Sequence, residues 1–381
     1  MKSLEPTQGA FITAAMADRA RRNAQTDPWC AEATRGLIAK AAPWHGRSDA
    51  ELWDLMFGPT ITRARVVDAD GCCPVCNGAT PMYTWKVDAL HMPWKVACPH
   101  CGEQFPKNDF HAYYRSGLDV HGVFDPKLPD RRLLVNRDHP DPADPLHQFG
   151  VDDGEGYSDG QRRWRFVGTA MLCGLWRQAV LAGMEALSTA YVLTGDGSYA
   201  HQAAILIDRV ADLYPLFDFK TQGNYGNKPT LTNGAVDNWH DANRDMLIIA
   251  LAYDRIRPAL PGDTALVTFL SKQARQYRLD NPKTSWAEIR RNIEDRLFRE
   301  ALLVHPERVI SNYPRGEVLR AVLIEILDEP GADRVLAEML DTMVERASRV
   351  DGVTGEKGLS SYSAYTVAGP RRGSLCRWVP R

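Results

Sequence analysis

Four cysteines carry the plainest chemistry in the sequence. Cys73-Pro74-Val75-Cys76 and Cys98-Pro99-His100-Cys101 are two C-x2-C pairs with twenty-one residues between them. Each pair presents two thiolates from one tight turn. Two such knuckles complete the tetrahedral four-sulfur set that Zn²⁺ prefers, at zinc–sulfur distances near ~2.3 Å. Four protein ligands leave no position for water or substrate, so the spacing predicts a structural zinc and not a catalytic one. Cys72 and His100 flank the set and are read as bystanders. Five of the eight cysteines fall within thirty residues, a metal-site distribution and not a disulfide framework, and it points to a reducing compartment. The stretches between the knuckles (Met82, Tyr83, Trp85 and Val87; then Trp94 and Val96) are not notably basic, which argues against a nucleic-acid-binding ribbon.

The elements that must hold these residues are mostly helical. Amphipathic stretches at 12–24 and 30–42 precede the start signal Ser48-Asp49-Ala50-Glu51, so residues 1–65 are read as N-terminal helices. Over 66–150 helical periodicity gives way to Gly, Pro, Asp and aromatic residues, which predicts a zinc-ribbon-like insert followed by irregular loop. From 151 to 368 helical segments recur at 166–193, 199–214, 239–256, 265–277, 286–303, 317–327 and 332–350. Strand alternation is almost absent there, so the expected class is all-α, built from antiparallel helix pairs that form a solenoid or close into an α/α toroid. Residues 369–381 carry four Arg and no acid, and read as an irregular tail and a point of truncation.

Composition narrows the function classes. Hydrophobic residues make up 44% and charged residues 25%, which fits a folded globular chain and not a disordered or fibrous one. The net charge is −2, so no global excess of Lys and Arg exists to attract nucleic acid or anionic lipid, and an anionic ligand must meet a local basic patch. No window approaches the ~18 to 20 uninterrupted apolar residues of a membrane span; the most apolar stretch is read at 246–253. The N-terminus has no convincing secretory pattern, so the expected location is cytoplasmic, or at least without a recognisable export signal.

The run from Trp94 to Asp109, WKVACPHCGEQFPKND, follows an N-terminal helical pair and precedes a long helical array. In this the chain resembles the heparinase II/III-like polysaccharide lyases from about residue 10 to 368. The resemblance implies an α/α toroid followed by an antiparallel β-sandwich, with the cleft between them. Because the sequence stops where the sandwich would begin, the expectation is an incomplete toroid, one that is catalytically complete only with further structure. The implied substrate is an acidic oligo- or polysaccharide, and the implied reaction is β-elimination at a uronic acid. That chemistry needs a neighbour to stabilise the enolate charge, a base to take the proton beside the carboxylate, and an acid for the leaving oxygen.

By the same resemblance Asn312, in Ser311-Asn312-Tyr313-Pro314-Arg315, is the carboxylate neutraliser, and Tyr362, fifty residues on, is the general base. Tyr313 stands where several relatives have His. A tyrosine base, ordinarily near pKa ~10, needs nearby cations, and Arg315 or Lys357 would supply them; Arg315 also suits pairing with the substrate carboxylate. Glu356 lies in the same loop as Tyr362 and is placed with the substrate-binding residues. His240 opens an amphipathic helix in the run Asp237-Asn238-Trp239-His240-Asp241 and is a further catalytic candidate. Trp239 and Trp164 are candidate sugar-stacking rings, and residues 222–229 (QGNYGNKP) a candidate cleft loop. Without the resemblance, Asn312 and His240 read as turn, capping or core residues, and the tryptophans as packing.

Two other functions stay open at this level. A toroidal glycoside hydrolase needs paired carboxylates; Glu155, Asp237, Asp241 and Glu356 are available, but their spacing singles out no pair. A non-enzymatic helical scaffold carrying a zinc ribbon is the other. Neither a nucleic-acid nor a membrane partner is expected, and an oligomer is compatible with the sequence.

Overall fold

A computed structural model of the chain describes residues 9–68 and 71–347, with side chains as far as Glu345. Helix makes up 54% and strand 7%, so the class is mostly helical. The first two helices, α1 (Ala14–Thr26) and α2 (Pro28–Ala39), share Asp27, which ends one and caps the other by accepting the Cys30 N–H at 3.0 Å. Ser48 and Glu51 form the expected capping box ahead of the short helix Asp49–Trp53, with bonds of 3.3 and 2.8 Å.

The body follows as a succession of longer helices. The first, α3 (Phe166–Thr194), is continuous and is wound as a π-helix over Ala170–Leu181. It ends at Gly195, whose φ of +76° is a left-handed C-cap that a β-carbon would disfavour. Asp196 then caps α4 (Gly197–Leu213). Beyond a hairpin come α5 (Trp239–Ile256) and α6 (Thr264–Gln276), the latter capped by Asp263. Next is α7 (Trp286–Ile293), which runs on π-wound through Glu294–Val304, and then α8 (Arg315–Leu327) and α9 (Ala332–Ala347).

The core lies where α3, α4 and α5 pack on one another. Leu187, Ile205, Leu206 and Ile249 are buried there, each stabilising the fold by roughly 1.5–3 kcal/mol. By length and composition α3 is apolar enough to cross a membrane, but 78% of its most apolar window is buried inside the protein. Enclosed on most sides, α3 needs few polar positions.

Small sheets stitch the 66–150 region to this body. β1 (Arg63–Ala64) runs parallel to β7 (Gly223–Tyr225), which pairs antiparallel with β8 (Lys228–Pro229). β2 (Lys86–Val87), β3 (Val96–Ala97) and β4 (Gln104–Phe105) form an antiparallel sheet with Lys86 opposite Ala97 and Val96 opposite Phe105. β5 (Tyr157–Ser158) and β6 (Arg163–Trp164) make a hairpin. A second apolar cluster of Trp85, Val96, Phe105, Trp164 and Phe166 fills the space between the three-stranded sheet and the start of α3; Phe105 stacks on Phe166 at 4.5 Å. A short helix, Phe110–Ser116, lies where only loop is expected from the sequence, and its Phe110, Tyr113 and Tyr114 enter the main core.

Candidate functional site

The two cysteine knuckles meet. All four sulfur atoms of Cys73, Cys76, Cys98 and Cys101 lie within 4.8 Å of one another, Cys73 with Cys101 at 3.8 Å and Cys76 with Cys98 at 3.9 Å. A tetrahedron with sulfur ~2.3 Å from its centre has edges of about 3.8 Å, so the donor set fits a four-coordinate metal. The thiols are unbridged. Val75 and His100 donate their N–H groups to Cys73 Sγ and Cys98 Sγ, each at 3.4 Å, which fixes the knuckle turns. Cys72 and His100 stand outside the set: Cys72 Sγ accepts from Arg162 at 2.6 Å, and the His100 ring bonds the Ala79 carbonyl at 2.7 Å.

A second polar assembly forms at the head of α5. Asp237, Asp241 and Asp245 recur every four residues, so one face of the helix and its lead-in carries three carboxylates. Arg65, just past β1, reaches Asp237 at 2.9 Å and Asp241 at 2.6 Å, and also binds the Asn238 side-chain oxygen. Arg177, from the π-wound part of α3, bonds the other Asp237 oxygen at 2.9 Å and lies 3.2 Å from Asp241. Burial works against the charge of Asp241, but the hydrogen bond from Arg65 and the field of Arg177 hold its pKa below the ordinary carboxylate range. Asp245 is different. Buried among helices and repelled by Asp237, its pKa is pushed up to about 8. Its Oδ2 accepts from Trp176 Nε1 at 2.6 Å, while its buried Oδ1 has no hydrogen-bond partner. A proton on Asp245 would leave Arg65, Arg177 and Arg244, the last 4.0 Å from Asp241 and 3.6 Å from Asp245 Oδ1, facing two carboxylates, an excess of one positive charge.

Several expected residues come together at this assembly. His240 Nδ1 lies 2.9 Å from Ser311 Oγ, so the 237–244 run and the 311–315 turn are in contact, and Asn243 reinforces this by donating to the Val309 carbonyl at 2.8 Å. Trp239 is 39% exposed and opens α5 at φ +36°, a region that bulky residues rarely adopt. Asn312 is half-buried in the turn, its carbonyl accepting the Arg315 N–H at 2.8 Å, and Arg315 is exposed on the first turn of α8. Tyr313 donates its hydroxyl to the Met343 carbonyl on α9 at 3.1 Å. The 222–229 loop becomes the β7–β8 hairpin; Tyr225 contacts Met82 and Tyr83, and Tyr83 in turn hydrogen-bonds Arg65.

Other expected residues lie elsewhere. Trp164 is only 1% exposed and donates Nε1 to the Cys72 carbonyl at 2.8 Å, so it packs the metal region and cannot stack on a sugar. Asp237 is fully buried, and Glu155 is paired with Arg165 at 3.2 Å. Tyr362 and Glu356 lie outside the described residues.

Sequence reasoning passed over Arg65, Arg177, Trp176 and Asp245. The usable signals were the Trp-Arg pair inside an otherwise apolar helix and the fourfold aspartate spacing; Arg65 had none, since its acidic partners are more than 170 positions away. No family model, curated protein or solved structure matches the chain.

Proposed function

We propose that the chain is a polysaccharide lyase, with helix pairs arranged as part of an α/α toroid, that cleaves uronate-containing glycans by β-elimination. The observation that carries this reading is the hydrogen bond between His240 and Ser311. It joins the helix start that carries His240 to the turn at Asn312 that the family resemblance nominates, next to the Arg65–Asp241 group and beside the Trp239 ring, which is 39% exposed and 5.4 Å from His240. A uronate chain needs those three things: cations for its carboxylates, a proton-transfer group, and apolar faces for its rings. In this reading Asn312 and the guanidinium groups draw charge from the substrate carboxylate, which makes the neighbouring carbon acid easier to deprotonate. His240, oriented by Ser311, moves a proton at the reacting sugar. Tyr362 keeps the base role that the resemblance gives it. Hydrolysis is less well served, because it needs two carboxylates that meet solvent across a bond, and of the three on α5 only Asp241 is partly exposed.

The metal that suits four thiolates at this spacing is zinc. Cys73, Cys76, Cys98 and Cys101 would hold it, and its contribution would be to fold stability, with no open position for catalysis.

Incubation with alginate, heparin, heparan, chondroitin and hyaluronan tests the activity through the ultraviolet absorbance of the unsaturated uronate. One substrate should give rising absorbance, and His240→Ala should slow it by about 10²-fold or more while the melting temperature holds. Reducing ends released with no absorbance change would overturn elimination in favour of hydrolysis.

A further inference from the structure

A charged cavity shares the β7–β8 hairpin with the Arg65 group at the head of α5. Tyr225 of that hairpin faces the Arg65 group, and Asn227, two residues or about 7 Å along, lines the cavity. The volume is about 460 Å³, within the ~300–1,000 Å³ of small-molecule sites. Arg162, Arg163 and Arg165 project from or just beyond the β5–β6 hairpin, and among the described residues Asp68 is the acidic one in the lining.

The arginines are held in place. Arg163 donates to the carbonyls of Glu155 at 2.9 Å and Gly156 at 3.3 Å, while its own carbonyl accepts from Asn227 at 2.7 Å, which locks the two hairpins together. Arg162 is fixed at Cys72, beside the cysteine knuckles. Arg165 is 12% exposed and binds Glu155 through one terminal nitrogen, yet its buried Nε has no hydrogen-bond partner. A buried guanidinium donor without an acceptor is unfavourable unless something else supplies one. Three forked cations fixed around one cavity match the planar or tetrahedral oxygens of a carboxylate or sulfate.

We infer that this cavity is a subsite for one carboxylate or sulfate group of an acidic saccharide, sharing the β7–β8 hairpin with the Arg65 group at the head of α5. The saccharide identity rests on the function proposed above; the preference for an oxyanion rests on the cavity's own residues. The substrate is then an oligomer charged at more than one unit, read by two cationic sites that share one hairpin.

Calorimetric titration of the full chain tests it with three oligosaccharides of equal length: one carboxylated, one sulfated and one neutral. At least one charged oligomer should bind about tenfold or more tightly than the neutral one, and which does so identifies the group. Arg163→Gln should weaken that binding roughly tenfold. Arg162→Gln, at an exposed position that folding tolerates, should weaken it in the same direction, and Arg19→Gln on α1, which removes the same charge elsewhere, should not. Equal binding of charged and neutral oligomers overturns the subsite, as does Arg162→Gln and Arg163→Gln binding no differently from Arg19→Gln. Binding is read without turnover, so charge-selective binding without elimination would sink the lyase reading and leave the subsite. Elimination with KM unchanged in both cavity variants would do the reverse.

Discussion

Two buried ionic groups in the helical body use the same ingredients to opposite ends. In one, Lys283 is fully buried and lies 2.5 Å from Asp208 and 2.7 Å from Asp212, while Asn292 donates to both carboxylates at 2.9 Å. The other is the Arg65–Arg177–Asp237–Asp241 assembly at the head of α5, where Asp241 and Arg177 remain about a quarter exposed and Asp245 has an oxygen without a hydrogen bond, 3.6 Å from Arg244. Charges sealed from water and matched on every side hold helices in place. Charges left partly hydrated and incompletely matched can still take up a ligand. The cysteine set is saturated in a different way: Cys76 and Cys101 are exposed, but four thiolates around one centre leave no valence over.

The comparison breaks most easily at the saturated end. Cys98→Ser should remove the bound metal entirely, because a hydroxyl is a poor substitute for a buried thiolate that also anchors a knuckle turn. Elemental analysis of purified protein should give about one zinc per chain for the parent and for Cys72→Ser, and none for Cys98→Ser. A full complement in Cys98→Ser would mean that the metal lies elsewhere.

Next in size is Lys283→Met. It leaves Asp208 and Asp212 buried against each other with no cation between them, and should cost about 3–5 kcal/mol of stability in denaturant titration. Saccharide binding at the α5 head should be unchanged below the unfolding transition. A loss under about 1 kcal/mol would show that this group is less sealed than its burial implies.

What was legible in the sequence follows the same division between local and distant pairing. The span 239–256 was read to the residue, because an amphipathic period and a following Pro258 are local signals. The Ser48–Glu51 box and the cysteine knuckles were equally local. The helix Phe110–Ser116 was invisible, since seven residues are too few to show a period. Strands of two and three residues, β1 and β7 are too short to display alternation, and their parallel pairing joins positions 160 residues apart. Lys283, in a Pro-containing loop, looks like a solvent-facing lysine, and nothing nearby announces Asp208. Trp164, open in the sequence between stacking and packing, is decided by a distant partner too. Exposed and buried tryptophans look alike until the partner of the indole N–H is known, and here that partner is a carbonyl 92 residues away.

The prediction that addresses the open group most directly is the pH dependence of Asp245. Its carboxyl is ordinarily near 3.8 and is pushed up to about 8 in the fold, by burial first and by Asp237 second; Trp176, Arg244 and Arg177 pull the other way without prevailing. Between those two values the folded chain holds a proton that the unfolded chain has released. The folded state therefore binds more protons, and this group's contribution to stability falls as pH rises from about 4 to about 8 and is level outside that window. Asp245→Asn keeps the acceptor for Trp176 Nε1 and removes the titration. Denaturant unfolding at pH 5, 7 and 9 should show the variant gaining on the parent as pH rises, with the largest advantage at pH 9. If the two curves stay parallel, Asp245 is ionised throughout, the assembly has no net positive charge at neutral pH, and its attraction for a carboxylate must come from Arg244 and the turn at Asn312 alone.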